Sequence, residues 1–238
     1  MNEEVGRINE LKGLVVSNKS SVNRISNDVL KDLQYQMNIN MAKLYDNGEK
    51  LKINEYIDAF VENIYIILNM ISEMHLTPEY FFNIVLKANN DFMEFSKKHP
   101  DLLPGEARKA FAKQYSIFYV HDDILHAIYY GNYKKEATNN GEDHNIDYYF
   151  MRIVEQYQKN KISYGNTSIY QCQKSFLLHY IDIINIMHDF YNCDDMGDEV
   201  ECMMNLLYEY LCFFVEIGVN PKIYLDEYIE DKTVSKKK

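Results

Sequence analysis

The stretch INEYIDAFVENIYIILNMISEM, at positions 53–74, decides the fold of this chain. It contains no Gly or Pro, and most of its polar residues recur at the spacing of a helix. Placed at about 100° per residue, they fall within one arc of roughly 100°, and apolar side chains cover the rest of the circumference. The pattern predicts a long, largely buried α-helix with one narrow polar stripe, called here the first stripe: Glu55, Asp58, Glu62, Tyr65, Asn69, Ser72 and Glu73.

Helical periodicity extends over most of the remaining chain. It predicts helices at 29–45, 78–98, 106–130 (as one or two helices), 146–161, 168–191, 198–217 and 221–229. Only 9 Gly and 4 Pro interrupt the 238 residues, which favours long helices over the short strands and frequent turns of a sandwich or barrel. The sequence therefore predicts an all-α protein, built as an antiparallel helical bundle.

The two halves of the chain carry related phrases. An offset of 143 positions aligns Pro78 with Pro221, each of which opens a helix, in HLTPEYF and GVNPKIY. The same offset aligns the first stripe with a second stripe on the helix predicted at 198–217: Asp198, Glu201, Asn205, Tyr208 and Glu216. We predict two related helical units, at 1–130 and 146–230, that share one core, and a tail at 231–238.

Composition excludes several classes of function. The net charge is -11 and the basic residues cluster only at the C-terminal lysines, so the surface is unsuited to tracking nucleic acid. No apolar run approaches 18 residues and the N-terminal MNEEVGRINEL has no signal pattern, so no membrane association is expected. The four Cys form no CxxC pair, which is a poor pattern for zinc. These features predict a cytoplasmic protein with reduced thiols.

The acidic residues of the first stripe have two interpretations. On one, the stripe is the solvent face of an amphipathic helix. On the other, it lines a cleft in which Glu55 and Asp58, one helical turn apart, hold a divalent cation. Like charges at that spacing repel each other unless a cation bridges them. Mg²⁺, held by carboxylates and substrate phosphates, is the usual occupant of such a cleft.

The phrase NEYIDAFVENIYIILNM, followed by LTPEYFFNIVLKANNDF, resembles the second half of the all-α nucleoside triphosphate pyrophosphohydrolase superfamily, which includes the MazG-like enzymes and the dimeric dUTPases. The resemblance covers about 45 residues, with a weaker echo near the C-terminus. It implies Mg²⁺-dependent hydrolysis of a nucleotide by a homodimer. Glu55 and Asp58 would be metal ligands, and Glu62 would complete the metal shell or activate water. Tyr65 and either Asn89 or Asn90 would contact the substrate.

The preceding helix departs from the family pattern. Where the family carries a second pair of acids, this chain has amides: Gln34, Gln36, Asn38 and Asn40. Amides orient a phosphate or a bound water but neutralise no metal charge, so we assign Gln36 and Asn40 to substrate binding. In the second half, His179 and Asp182 precede Asp198 and Glu201 at a comparable distance. We add Asp182, Asp198 and Glu201 to the candidate metal ligands.

Neither half has the full acidic set, so a different class of function stays open. A nucleotide-binding descendant without catalysis is one alternative. Another is a non-enzymatic helical protein of a virus or bacterium that docks on a protein partner and modulates it. The amide-for-acid substitutions and the abundance of Tyr and Met favour this second alternative.

Two His-Asp dipeptides, at His121 and His188, are of the kind that HD-type metal-dependent phosphohydrolases use. Such a site also needs a separate upstream His and a downstream Asp, and the residues that follow each dipeptide are larger than usual. We interpret both dipeptides as chance occurrences or surface features.

Overall fold

The computed structural model describes residues 4–8, 27–47, 50–74, 76, 78–115, 119–130 and 145–236. Within these ranges the chain is helical with short connections and contains no strand, so the all-α prediction is confirmed. A short helical segment at 4–8 precedes the main helices, which are α1 (Asn27–Asn47), α2 (Ile53–Glu73), α3 (Pro78–Lys98), α4 (Pro104–Tyr115), α5 (Tyr119–Tyr130), α6 (Ile146–Asn160), α7 (Ile169–Tyr191), α8 (Met196–Ile217) and α9 (Pro221–Lys236).

Most helix ends agree with the sequence pattern. Pro78 begins α3 and Pro221 begins α9, as expected of a residue that has a fixed φ and no backbone N–H to satisfy. The prediction of a tail at 231–238 is wrong for residues 231–236, because α9 continues to Lys236. Leu225 and Ile229 are buried and anchor this helix against the core. The polar segment 131–144, predicted to separate two units, lies outside the described residues.

Helix α8 lies at the centre of the bundle. It packs against α2, α3, α5, α6 and α7, and its residues are buried on almost all sides. The ring of Phe60 on α2 stacks on Phe213 of α8 with ring centroids 4.1 Å apart. Side chains of both halves belong to one continuous hydrophobic core.

Helices α2 and α8 run antiparallel. Phe60 faces Phe213, and three residues later Asn63 donates a hydrogen bond to Tyr210. Each of the two helices also packs against the helix that follows the other one: α8 packs against α3, and α2 packs against α9. We predict that the pair α2–α3 superposes on the pair α8–α9, as related halves require.

A glycine turn ends α8 and brings a loop onto it. Gly218 has φ 70°, in the left-handed region, and Val219 N donates to Phe214 O at 3.0 Å. A Cβ on Gly218 would lie 2.7 Å from Gly165 Cα. Gly165 N and Asn166 N donate to the last carbonyls of α8, so the close approach satisfies groups that a helix end leaves unpaired.

Among the described helices, none is by itself long and apolar enough to cross a membrane. One pair of these helices, α8 with the first part of α9, has the length and apolar composition of a membrane span, but the two helices meet at a bend of 119°.

Candidate functional site

Three acids of the first stripe face an open groove between α1 and α2, called here the α1–α2 groove. Glu55, Asp58 and Glu62 line it from α2, and it has a volume of about 500 Å³. Lys43 on α1 and Lys50 in the following turn also line it. The N-terminal half of the stripe thus borders a concave surface that combines carboxylates with two ammonium groups.

The carboxylates at the start of α2 are held by the helix end. Glu55 Oε2 accepts a hydrogen bond from Lys52 N at 2.6 Å, which caps the helix. Asp58 follows one turn later and is exposed. Partial burial and the charge of Glu55 raise the pKa of Asp58. The two acids therefore form a like-charged pair whose electrostatic repulsion a bound cation would relieve.

Helix α9 contacts the first stripe at Glu62 and Tyr65. Tyr228 OH donates to Glu62 Oε1 at 3.2 Å, and burial and the Glu62 charge raise the pKa of Tyr228. The ring of Tyr65 packs edge-on against Tyr228, with centroids 5.2 Å apart. Tyr65 is not among the residues that line the groove. In this structure Tyr65 packs against α9, and its assignment to substrate binding stays a prediction.

The amides of α1 are placed differently from one another. Asn40 lines the groove but is buried, and its Nδ2 donates to Asn63 Oδ1 at 2.9 Å. Asn63 Nδ2 in turn donates to Tyr210 OH at 3.1 Å, so the Asn40 donor group belongs to a buried chain that ties α1 to α2 and α8. Gln36 is exposed and does not line the groove.

The predicted substrate residue Asn90 lies elsewhere. Its Nδ2 donates to Glu94 Oε1 at 3.4 Å, while Asn89 Nδ2 donates to Val85 O within α3. Asn90 lines a separate groove of about 410 Å³ between α3 and α6. The grouping of Asn90 with Glu55 is wrong, because α3 starts at the far end of α2 and crosses α8 instead of returning along α2.

The second stripe does not gather Asp182 with Asp198. Asp182 pairs with Arg108 of α4, at 3.2 Å. Helices α7 and α8 form an antiparallel hairpin in which His179 contacts Glu209 and Glu216, near the C-terminal end of α8. Asp198 lies near the opposite end, so the expected combination of His179 and Asp182 with Asp198 is not formed.

A different group forms at the start of α8. His121 Nε2 lies 3.2 Å from Asp195 Oδ2 and 3.3 Å from Asp198 Oδ1. One ligand atom from each residue lies within 4.8 Å of the others, so the three, called here the His121 group, can hold a metal ion. Glu201 lies one turn further along α8. The His121 side chain is partly buried, at 19% exposure, whereas His188 is exposed.

The charged side chains of this group shift one another's pKa values. Partial burial lowers the pKa of His121, but the hydrogen bond and charge of Asp195, with the charges of Asp198 and Glu201, outweigh it and raise that pKa. Burial raises the pKa of Glu201. The charge of His121 lowers the pKa of Glu201, and the charge of Asp198 raises it further. A positive charge at the position of the imidazole therefore stabilises the ionised forms of Asp195 and Glu201.

Local structure explains why His121 reaches α8. Asp195 is the N-cap of α8, and its side chain accepts from Asp198 N at 3.0 Å. A Cβ at Gly197 would lie 2.7 Å from Leu125 Cγ, so the glycine lets α5 approach closely. Leu125 follows His121 by one helical turn. The sequence shows that Asp195 and Asp198 are three positions apart, but it does not show that these two residues lie next to α5.

Of the residues predicted for the site, the structure brings together on one groove Asn40, Glu55, Asp58 and Glu62. Those it places elsewhere are Gln36, Tyr65, Asn90, Asp182, Asp198 and Glu201. No protein-family model, curated protein or solved structure matches this chain.

Proposed function

We propose that the chain is a Mg²⁺-dependent nucleoside triphosphate pyrophosphohydrolase, or a nucleotide-binding descendant of one, with its site in the α1–α2 groove. One observation carries the proposal: Glu55, Asp58 and Glu62 share this groove with Lys43 and Lys50. A volume of about 500 Å³ suits a small-molecule ligand of nucleotide size. Carboxylates beside ammonium groups suit a ligand that is a phosphate chain with its cation.

The donor atoms of the groove fit Mg²⁺. They are carboxylate oxygens, the hard ligands that this ion prefers, and few enough to leave positions for water and phosphate. Glu55 uses one oxygen as a helix cap and keeps the other, and Asp58 is exposed one turn away. Partial burial, and after it the negative charge of Glu55 one turn away, raise the pKa of Asp58. Bound Mg²⁺ would supply charge neutralisation for the phosphates and for these carboxylates.

Each remaining side chain has a role that follows from its position. Lys43 and Lys50 would bind phosphate oxygens from the side opposite the acids. Glu62 would accept a proton from the attacking water, while Tyr228 OH holds one of its oxygens in place at 3.2 Å. Attack on the α-phosphorus breaks the bond to the bridging oxygen, and pyrophosphate and a nucleoside monophosphate leave.

The missing acids of α1 limit the site. With amides on α1, and with the Asn40 donor already used in the core, the acids of α2 have no acidic partners on the facing helix. A site with fewer acids binds its cation more weakly, which is why the proposal includes a descendant that binds nucleotide without turnover.

The experiment is an assay of pyrophosphate release from the common NTPs and dNTPs, dUTP included, in millimolar Mg²⁺. We expect release from at least one of them. Asp58→Asn should lower the rate by more than about 100-fold, because loss of residues that merely orient metal ligands already costs 10- to 100-fold. The matched control is Asp101→Asn, which alters an exposed aspartate in the connection before α4 and should leave the rate unchanged.

Turnover in the parent that persists in Asp58→Asn would contradict the α1–α2 groove as the active site. No turnover with any substrate, but Mg²⁺-dependent nucleotide binding that Asp58→Asn removes, would support the descendant. Neither turnover nor binding would contradict both forms of the proposal.

One observation favours the second candidate function, a helical protein that docks on a partner. Helix α7 exposes a run of apolar side chains on its outer face, among them Leu177 at 57% and Ile181 at 65% exposure. Tyr170 and Leu178 extend the same face. Faces of this kind bind proteins more often than small ligands. The same face would be available for the contact between subunits in the homodimer that the family resemblance implies.

A further inference from the structure

We propose that the His121 group, made of His121, Asp195 and Asp198 at the junction of α5 and α8, is a binding site for a divalent transition-metal ion such as Mn²⁺, Fe²⁺, Co²⁺ or Zn²⁺. The site is additional to the α1–α2 groove and does not depend on the proposed hydrolase activity. Its ligand set is one imidazole nitrogen and two carboxylates, drawn from two helices that are separate in sequence.

The two distances from the imidazole nitrogen to the carboxylate oxygens match those between ligands of a single ion, and all three ligand atoms lie within 4.8 Å of one another. A metal with bonds of about 2.1 Å has neighbouring ligand atoms about 3.0 Å apart in an octahedron and about 3.4 Å apart in a tetrahedron. His121 Nε2 lies 3.2 Å from Asp195 Oδ2 and 3.3 Å from Asp198 Oδ1. Small side-chain adjustments are therefore enough to turn these contacts into shared coordination.

Residues around the group are arranged to support a metal ligand. The second ring nitrogen of His121, Nδ1, lies 3.7 Å from Asp122 Oδ1. A small shift would let it donate to this carboxylate, the kind of hydrogen bond that orients a metal-bound imidazole. Asp195 is fixed by its cap hydrogen bond from Asp198 N. Glu201, one turn along α8, is a further carboxylate whose charge acts on His121.

The charge balance favours a divalent ion over the imidazole alone. Four carboxylates act on His121, from Asp122, Asp195, Asp198 and Glu201. One protonated imidazole neutralises a single charge, so the cluster keeps an excess of negative charge that a divalent ion reduces further. The nitrogen ligand selects against Mg²⁺ and Ca²⁺, which prefer oxygen, and in favour of first-row transition metals.

The position of the group separates it from the α1–α2 groove. Phe213, which stacks on Phe60 near that groove, follows Asp198 by 15 positions on α8. At 1.5 Å per residue the two sites are roughly 20 Å apart along the helix axis. Metal bound here would tie α5 to the N-terminus of α8 without contacting Asp58.

The test uses Co²⁺ as the probe, added to the full chain, with binding followed by visible absorption and stoichiometry by equilibrium dialysis. We expect about one equivalent to bind, with d–d bands and without a thiolate charge-transfer band, since the ligands are nitrogen and oxygen. His121→Gln should weaken binding by more than about tenfold. The matched control is His188→Gln, which alters the exposed second His-Asp dipeptide and should bind as the parent does.

A second variant keeps the experiment decisive if His121→Gln fails to fold. Asp195→Asn preserves the helix cap, because Asn caps as well as Asp, but removes a charged ligand and should also weaken Co²⁺ binding by more than about tenfold. The proposal is overturned by no binding in the parent, by equal binding in both variants, or by a thiolate band that assigns the metal to Cys. Competition by Mg²⁺ at equal concentration would contradict the expected selectivity.

Discussion

Replacing His179 with alanine is expected to lower the free energy of unfolding by about 3–5 kcal/mol at neutral pH, the usual cost of removing one partner from a buried ionic cluster. His179 Nδ1 lies 2.6 Å from Glu209 Oε2, and Nε2 lies 3.2 Å from Glu216 Oε1. Ser175 and Tyr157 also donate to Glu216. Without the imidazolium, two carboxylates remain close together in a largely buried position between α7 and α8.

The pH dependence of this effect has a definite sign. Burial lowers the pKa of His179, but its bonds to Glu209 and Glu216 outweigh this and raise the pKa from 6.5 to about 10. Its contribution is therefore complete below pH 6.5 and is lost as pH rises through about 10. Burial raises the pKa of Glu216, but His179 lowers it further, so that contribution is present above the usual pKa of 4.5 and lost as pH falls.

The measurement is urea unfolding of parent and His179→Ala between pH 4 and pH 10. The difference in unfolding free energy should be greatest between about pH 4.5 and 6.5 and shrink towards pH 10. His188→Ala, which removes an exposed histidine of the same helix, is the control and should change stability by less than about 0.5 kcal/mol. A loss below 1 kcal/mol for His179→Ala, or one that grows with pH, would contradict the ion cluster.

Phe60→Ala is expected to cost about 3–5 kcal/mol, because it opens a cavity at the contact between the two halves. Phe60 is fully buried and stacks on Phe213. Its ring also contacts Tyr210 edge-on at 5.1 Å and Phe176 at 6.3 Å. One truncation therefore removes packing from α2, α7 and α8 at once.

The same variant tests whether the halves share one core. Unfolding followed by far-UV and near-UV circular dichroism should remain a single coincident transition, displaced to lower denaturant. The control is Tyr170→Ala, an aromatic truncation at a side chain that is 73% exposed. Two separated transitions, with only one of them shifted by Phe60→Ala, would mean that the halves fold independently.

The helices could be predicted because their pattern is local. The first stripe and the prolines that open α3 and α9 are readable from neighbouring residues, and the structure places helices there. Glu55, Asp58 and Glu62 were expected on one helix face for the same reason, since residues three and four apart lie on one side of a helix. One of the two interpretations of that face placed it in a cleft, and the three acids line the α1–α2 groove.

What could not be predicted depends on how distant helices pack. His121 meets Asp195 across 74 positions, and only the packing of α5 on α8, helped by the small Gly197, brings them together. Asn90 was expected in one site with Glu55 because the family resemblance assigns both residues to that site. Helix α3 packs against α8 instead, and no local sequence pattern fixes which helix it packs against.

The measurement that tests the central claim most directly is whether Mg²⁺ stabilises the protein through Asp58. Denaturant unfolding in EDTA and in millimolar Mg²⁺ should be compared for His121→Gln and for His121→Gln with Asp58→Asn, so that the His121 group cannot contribute. At Mg²⁺ concentrations about tenfold above its Kd, the unfolding free energy of the first protein should rise by about 1.4 kcal/mol. The second should gain nothing. No Mg²⁺ effect in the first protein, or an equal gain in both, would contradict a divalent-cation site in the α1–α2 groove.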